Sequence, residues 1–403
     1  MKPFSFVHVA DIHLGYAQYG LAERREDFVK AFIEFVDRTL ELKPDFVIMA
    51  GDIFDSPKPS NKTLATAVRE LRRLREAGIK VFAVDGSHDM EPNVMVGTIL
   101  NPLHNAGLLI YLPRVEGGYT GENYYIYGIR SFRSLMEADN FLPRLLKEKP
   151  PKIDPSKFNI MLFHGALDDP NYCPPVFKPD LRVTHLPDGF QYYGGGHIHR
   201  PFKAKFKTGI IAYPGSLETT AYDEAELPKG FYHVRVNSLG EEPEIEHIRI
   251  ESARKFLVRE VSFTGKPFEQ AMAEVEKQLA EMNVNGAMAV LILKGKLPRG
   301  FKRSQIDISK LRKLASKTLY TAIVNQLSEV EEKIEAFRLK EAKEVRTLAY
   351  QQLLKIFQSK YPGENGRRVA KLAIEILDPL LAKEESKVER MLEEAVEADN
   401  KSS

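Results

Sequence analysis

The first 90 residues alternate between short apolar runs and longer stretches with a helical period. Phe4–Ala10, Asp45–Ala50 and Lys80–Val84 are runs of strand length. Between the first two, Glu26–Leu42 places Phe28, Ala31, Phe32, Phe35, Val36 and Leu40 on one helical face. Between the next two, Ser60 can cap a helix that continues through Ala77 and stops at Gly78. This βαβαβ order predicts a parallel sheet with helices on its faces. Later strands are predicted at Asn159–Phe163, Gln191–Gly194, Gly209–Tyr213, Gly230–Val236 and Glu244–Ile250.

A second βαβαβ unit follows: strands at Phe256–Phe263, Met288–Leu297 and Leu319–Val324, helices at Phe268–Met282 and Ile308–Ser316. From Glu329 onward the pattern is helical. Val345, Leu348, Leu353, Leu354 and Phe357 form one apolar stripe, and Val369, Leu372, Ala373, Ile376, Leu377, Leu380 and Leu381 an opposing one. The break from Tyr361 to Gly366 between them predicts a helix–loop–helix over about 344–382, with a polar end, Glu393–Ser403, that frays. The expected parts are therefore 1–252, a small α/β cap over 253–326, and a helical segment over 327–403. The helical pair can pack on the chain's own core or serve as a docking module for a partner.

Composition narrows the class. The 403 residues carry 58 Lys plus Arg against 56 Asp plus Glu, so no global positive field marks the chain as a nucleic-acid binder. A single cysteine, Cys173, excludes an internal disulfide framework and a Cys-rich zinc module, and points to a reducing, intracellular compartment. The apolar runs are too short to span a membrane. All ten histidines lie at or before His247, so the chemistry is expected in the α/β part.

Polar residues of ligand type follow the predicted strands. They are Asp11-Ile12-His13, Gly51-Asp52-Ile53-Phe54-Asp55, Gly86-Ser87-His88-Asp89, His164-Gly165 and Gly196-His197-Ile198-His199. Ligands collect at the carboxyl ends of strands in open parallel sheets. Asp and His without thiolate suit Mn²⁺, Fe²⁺ or Zn²⁺. One such pair proves little, but five clusters in order are a strong joint signal.

This ordered set resembles the calcineurin-like metallophosphoesterase superfamily. The leader Asp11-Ile12-His13-Leu14-Gly15, the Gly51–Asp55 run, and Gly196-His197-Ile198-His199-Arg200-Pro201 with the later Tyr213-Pro214-Gly215-Ser216-Leu217-Glu218 are similar to its DNA double-strand-break repair nuclease branch, whose bacterial member is SbcD. The resemblance covers residues 4–250. It implies a four-layer α/β/β/α sandwich, two Mn²⁺ per subunit, exonuclease action on duplex ends and endonuclease action on single strands. It assigns Asp11, His13 and His199 to one metal, His164 and His197 to the other, and Asp52 to both. It makes His88 the general acid, oriented by Asp55, where many archaeal and eukaryotic relatives carry a histidine. The family's Asn metal ligand is Ser87 here, which implies a weaker second site.

The resemblance also implies a homodimer, with Asn61–Ala77 and Val94–Asn105 as candidate helices. Its tail would dock on the coiled-coil base of an SMC-like ABC ATPase through Leu348, Leu353, Leu354, Phe357, Leu372, Ile376 and Leu380. DNA backbone contacts are expected from Tyr16, Gln18, Tyr19, Lys58 and Arg200, while Arg24, Arg25, Arg72, Arg73 and Arg75 read as a solvated helix face. Lys203–Lys207 alternates like an exposed strand. Two rivals stay open: a phosphoesterase for small nucleotides or phosphoproteins, and a DNA-end-binding scaffold impaired by Ser87.

Overall fold

The computed structural model describes residues 1–90, 97–174, 177–329, 342–361, 364–381 and 384–400. In chain order its elements begin with β1 (Phe4–Val9), α1 (Ala22–Leu42), β2 (Phe46–Ala50), α2 (Asn61–Glu76) and β3 (Lys80–Val84). They continue with α3 (Leu100–Asn105), β4 (Ile110–Tyr111), β5 (Tyr119–Thr120), β6 (Tyr124–Gly128), α4 (Leu135–Glu148) and β7 (Phe158–His164). Next are β8 (Tyr192–Gly196), β9 (Phe202–Phe206), β10 (Gly209–Tyr213), β11 (Gly230–Val236) and β12 (Glu244–Arg249). The remaining elements are β13 (Phe256–Ser262), α5 (Phe268–Glu281), β14 (Met288–Lys296), α6 (Ile308–Arg312), β15 (Tyr320–Ser328), α7 (Ala342–Lys360), α8 (Glu364–Glu375), α9 (Leu377–Leu381) and α10 (Glu385–Asn400).

Two six-stranded sheets form, in the orders β12-β11-β1-β2-β3-β4 and β5-β6-β7-β8-β10-β9. Successive side chains on a strand point to opposite faces, so a strand apolar at every position can pack on both sides. Phe6, Phe46, Ile48, Phe82 and Val84 turn toward Ile126, Ile160, Leu162 and Tyr192 of the second sheet. Val7, Val9, Val47 and Met49 turn the other way, onto Phe32 and Phe35 of α1 and Leu71 and Leu74 of α2. On the far face of the second sheet, Ala138 and Leu142 of α4 cover Met161, Phe163 and Tyr193. The result is an α/β/β/α sandwich.

The βαβαβ unit folds as a parallel sheet β13-β14-β15, with Phe256 opposite Met288 and Met288 opposite Tyr320. It shares one compact unit, Met1–Lys296 with Lys302–Ser328, with the sandwich. Where they meet, the structure corrects the expectation for Arg24, which is 0% exposed. Its guanidinium donates to Gln18 at 2.9 Å, Asp27 at 2.7 Å, Glu218 at 3.2 Å and the Thr219 carbonyl at 2.7 Å. Asp27 also accepts from Arg254 at the entry to β13, and the Arg24 guanidinium lies 5.2 Å from the Phe256 ring centroid. A charge on a helix face was read as solvated because nothing in α1's period shows which polar residue meets a buried partner.

The second unit, Leu297–Phe301 with Glu329–Ser403, is helical in its described elements. The break expected over Tyr361–Gly366 is shorter in the structure, since α7 ends at Lys360 and α8 already begins at Glu364, and α9 and α10 continue the segment. Of the polar end over Glu393–Ser403, residues up to Asn400 lie in α10 and 401–403 lie outside the described residues. Leu353, Leu354, Phe357, Leu372 and Ile376 are half-buried, whereas Ile356, Leu377 and Leu380 are exposed. The Leu348 side chain and residues 94–96 of the Val94–Asn105 stretch lie outside the described residues. No helix among the described residues is long and apolar enough to cross a membrane.

Candidate metal centre

The loops after β1 and β2 run side by side. Main-chain N–H groups of Asp11, His13 and Leu14 donate to Gly51, Asp52 and Ile53 at 3.1, 2.9 and 2.9 Å. The loop after β3 is tied to them by Asp89, whose buried carboxylate accepts from Ile53, Phe54 and Gly86 N–H at 3.2, 2.8 and 2.9 Å. Asp11 in turn accepts the His197 N–H at 3.0 Å, which binds the loop after β8.

The backbone is strained at the residues that matter. Of seven non-glycine residues with positive φ among those described, four are Asp11 (53°), His13 (46°), Asp52 (48°) and His197 (93°). Such conformations cost roughly 1–3 kcal/mol each and persist only where the surroundings fix them. Here they turn side chains from separate loops toward one point. Two glycines allow that approach: a Cβ on Gly86 would lie 2.1 Å from Asp52 Oδ1, and one on Gly196 only 1.9 Å from the Ala50 carbonyl oxygen.

Asp11, His13 and His199 form one group with ligand atoms within 4.8 Å of one another; Asp52, His164 and His197 form another, and His13, Asp52 and His88 a third between them. His164 Nδ1 donates to the Ala50 carbonyl at 2.8 Å, leaving Nε2 3.2 Å from Asp52 Oδ2. That Nε2 is buried and has no partner other than Asp52 among the described residues. His199 Nδ1 donates to Glu224 at 2.7 Å, so its Nε2 faces His13 Nε2, 3.2 Å away, as an acceptor. Ring nitrogens crowded against one another and against buried carboxylates make a donor set that suits cations. Imidazoles with two carboxylates and no thiolate therefore fit a dinuclear centre of hard-to-borderline metals.

The calcineurin-like phosphoesterase family profile matches residues 4–201. A DNA double-strand break repair protein Mre11 of Methanocaldococcus jannaschii is 32% identical over 284 residues, covering 68% of this chain and 73% of that protein. The chain belongs to the calcineurin-like phosphoesterases. Proteins of the same name from Archaeoglobus fulgidus and Sulfurisphaera tokodaii are 28% and 26% identical, and cover 97% and 100% of the chain against 89% and 100% of their own lengths. The phosphoesterase is thus a metal-dependent enzyme.

Electrostatics in this phosphoesterase follow from burial against charge pairing. Burial opposes a charged His164 ring, but Asp52 and then Asp11 outweigh it and raise its pKa to about 10. Asp52, although buried, is held well below the usual carboxylate range, chiefly by His164. His197 is pushed down to about 3 by burial and by the neighbouring His164. A cation can replace the His164 proton in the same field.

The groups open on a cleft of ≈ 460 Å³ whose lining includes Tyr16, Asp55, Ser87, His88, Phe177 and Arg200. Ser87 thus faces the cleft beside Asp52. The His88 side chain is 46% exposed, and its Nδ1 donates to the Asp55 main-chain carbonyl at 2.9 Å; the Asp55 carboxylate stands 3.8 Å from that nitrogen and 3.7 Å from His13 Nδ1. The expected orienting contact is therefore made by main chain. Tyr19 and Lys58 are exposed, Tyr19 stacked on Tyr320 at 4.6 Å. Gln18 is corrected: it is 3% exposed, with Oε1 accepting from Arg24 and Nε2 donating to the Thr220 carbonyl at 2.7 Å, which leaves no end for phosphate. Lys203 and Lys205 lie in β9, at a sheet edge, with Lys203 donating to the Ile245 carbonyl and Lys205 paired to Glu242, and Lys207 lies just beyond the strand.

Sequence reasoning missed the partners behind the ligands. Glu224 and Thr220 grip His199 Nδ1 at 2.7 and 3.0 Å, Lys229 neutralises Glu224 at 2.8 Å, and an Asp180 oxygen lies 3.5 Å from His197 Nε2. These sit in or beside irregular segments with no period to single them out. The one available signal was chemical: a metal-binding histidine needs an acceptor for its second nitrogen.

Proposed function

We propose that this phosphoesterase is a Mn²⁺-dependent, intracellular DNA nuclease that hydrolyses phosphodiester bonds at double-strand breaks, as an exonuclease on duplex ends and an endonuclease on single strands. The observation that carries the chemistry is the pair of ligand groups on one open cleft, Asp11/His13/His199 and Asp52/His164/His197. The substrate follows from the relatives, which are named DNA double-strand break repair proteins. Asp11, His13 and His199 would hold one cation, His164 and His197 the other, and Asp52 both. Bound there, cations supply Lewis-acid polarisation of the phosphoryl group and activation of a water nucleophile.

The half-exposed His88 side chain lines the cleft and, when protonated, delivers a proton to the leaving 3′-oxygen. Arg200 and Tyr16 line the same cleft and would meet the DNA backbone. Ser87 offers a shorter, neutral hydroxyl where the resemblance implies an Asn ligand, so the second cation would be held less tightly. The α/β unit over 253–326 would cap the DNA. The tail over 327–403 would dock on the coiled-coil base of an SMC-like ATPase, and the nuclease would act as a homodimer.

The test is nucleotide release from end-labelled duplex in Mn²⁺. Release by the wild-type chain, near-complete loss in His88→Ala, and faster release with tighter second-site Mn²⁺ in Ser87→Asn are expected. DNA binding without release in saturating Mn²⁺ would overturn the nuclease reading in favour of a scaffold.

A further inference from the structure

The run Tyr213–Glu218 after β10 was singled out by resemblance, yet it takes no part in the chemistry above. Ser216 and Glu218 are nevertheless fully buried. Glu218 accepts from Arg24 at 3.2 Å and from the N–H groups of Thr219 and Arg254 at 2.7 and 2.9 Å. Ser216 Oγ donates to the Glu218 carbonyl at 2.9 Å and accepts from Lys229 at 3.0 Å. One residue beyond Thr219, the Thr220 hydroxyl and N–H donate to the two oxygens of Glu224 at 2.6 and 3.1 Å. Glu224 is the group that accepts the hydrogen bond from His199 Nδ1.

We infer that Arg24 is a positioning residue for His199, acting through the Glu218–Thr219–Thr220 segment and Glu224. This rests on the metal reading of His199 given above. A buried guanidinium is costly unless its donors are all placed, and here every arm is used. Nη2 fixes the Thr219 carbonyl, Nε fixes Gln18, and Gln18 fixes the Thr220 carbonyl at 2.7 Å. The carbonyls on both sides of the Thr220 N–H are therefore clamped from one side chain. That N–H and the adjacent hydroxyl aim Glu224, and Glu224 sets which His199 nitrogen points at Asp11 and His13. Through Asp27 the same guanidinium reaches Arg254, so the entry to β13 is part of the clamp. The device needs a planar fork, and a lysine at 24 would keep the charge but lose the geometry.

The experiment is a two-site Mn²⁺ binding isotherm on the full chain, with His199→Ala and His197→Ala identifying the two sites. Arg24→Lys is expected to weaken the Asp11/His13/His199 site by about 10-fold, within the range seen when outer partners of metal ligands are removed. The Asp52/His164/His197 site should keep its affinity. Thr220→Val removes the last link without burying a charge and should give the same selective loss even if Arg24→Lys folds poorly. Leu142→Ala, a core change in α4, supplies a destabilised control that should weaken neither site. Equal loss at both sites, no loss in either variant, or the same selective loss in the control would overturn the relay. A wild-type chain that binds no Mn²⁺ would instead overturn the metal reading, and the relay with it.

Discussion

His8 gives the sharpest quantitative test of the sandwich that carries the centre. It lies on β1, three residues before Asp11, and points between the sheets, where it is fully buried. Nδ1 meets the Tyr192 hydroxyl at 2.9 Å, while Nε2 makes no hydrogen bond. Burial drives its pKa from the ordinary 6.5 down to about 3, only partly offset by the Gly195 backbone. The folded-state value is depressed, so below pH 6.5 the unfolded chain binds a proton that the native chain refuses. Stability therefore falls as pH drops from 6.5 toward 3, by about 1.4 kcal/mol per unit, and is unaffected by this group above 6.5. Between pH 7.5 and 4.5 the loss amounts to about 2–3 kcal/mol. Urea unfolding in EDTA at both pH values, on wild type and His8→Asn, isolates it, because the amide can still meet Tyr192 but cannot titrate. The wild type should lose about 2–3 kcal/mol more than the variant over that interval; equal losses would refute a neutral, buried His8.

Four further outcomes follow from particular contacts. Gly86→Ala must displace Asp52, whose Oδ1 and N would lie 2.1 and 2.3 Å from the new Cβ; Mn²⁺ titration should show both sites weakened, and melting a loss of about 1–3 kcal/mol. Asp55→Asn should keep most of the nuclease rate, because the main-chain carbonyl holds His88, whereas His88→Ala should lose about 10²–10⁴-fold; equal losses in a single-turnover assay would restore the carboxylate as the orienting group. Leu380→Glu, at a side chain 60% exposed, should weaken binding of the ATPase coiled-coil base by about 30-fold, the 2 kcal/mol of an interface hot spot, with nuclease activity on free DNA unchanged. Saturating Mn²⁺, at about 100 times its Kd, should stabilise the fold by about 2.7 kcal/mol per site in a denaturation curve, and EDTA should remove that gain.

The parallel order β1-β2-β3 and the cap's βαβαβ were legible because their strands are long apolar runs and their helices keep a clean period. Shorter strands were not: β4 and β5 have two residues each, and β6 is an aromatic run of five residues with no alternation to mark it. α4 carries Pro143 inside it, which masks a helix whose buried face is only Ala138 and Leu142. The ligand-type residues were legible as chemistry, since Asp and His at strand ends have few other uses in such order. Their supports were not, because Glu224, Lys229 and Asp180 look like surface charges until the chain folds over them. Arg24 and Gln18 erred in the same direction: polar residues read as facing water are the interior of the clamp.

Strain and bracing belong to one account. Four of the candidate ligand residues lie in the left-handed region, at a cost of roughly 4–12 kcal/mol together, comparable with the whole stability of a domain. Backbone hydrogen bonds between the loops, the three N–H groups on Asp89 and the His197 N–H on Asp11 are what hold them there. Each brace comes from a different strand end, so no single loop could adopt its conformation alone. The near-zero net charge is then no obstacle to a polyanionic substrate: positive charge enters with the cations, at a point the scaffold fixes, rather than from a basic surface.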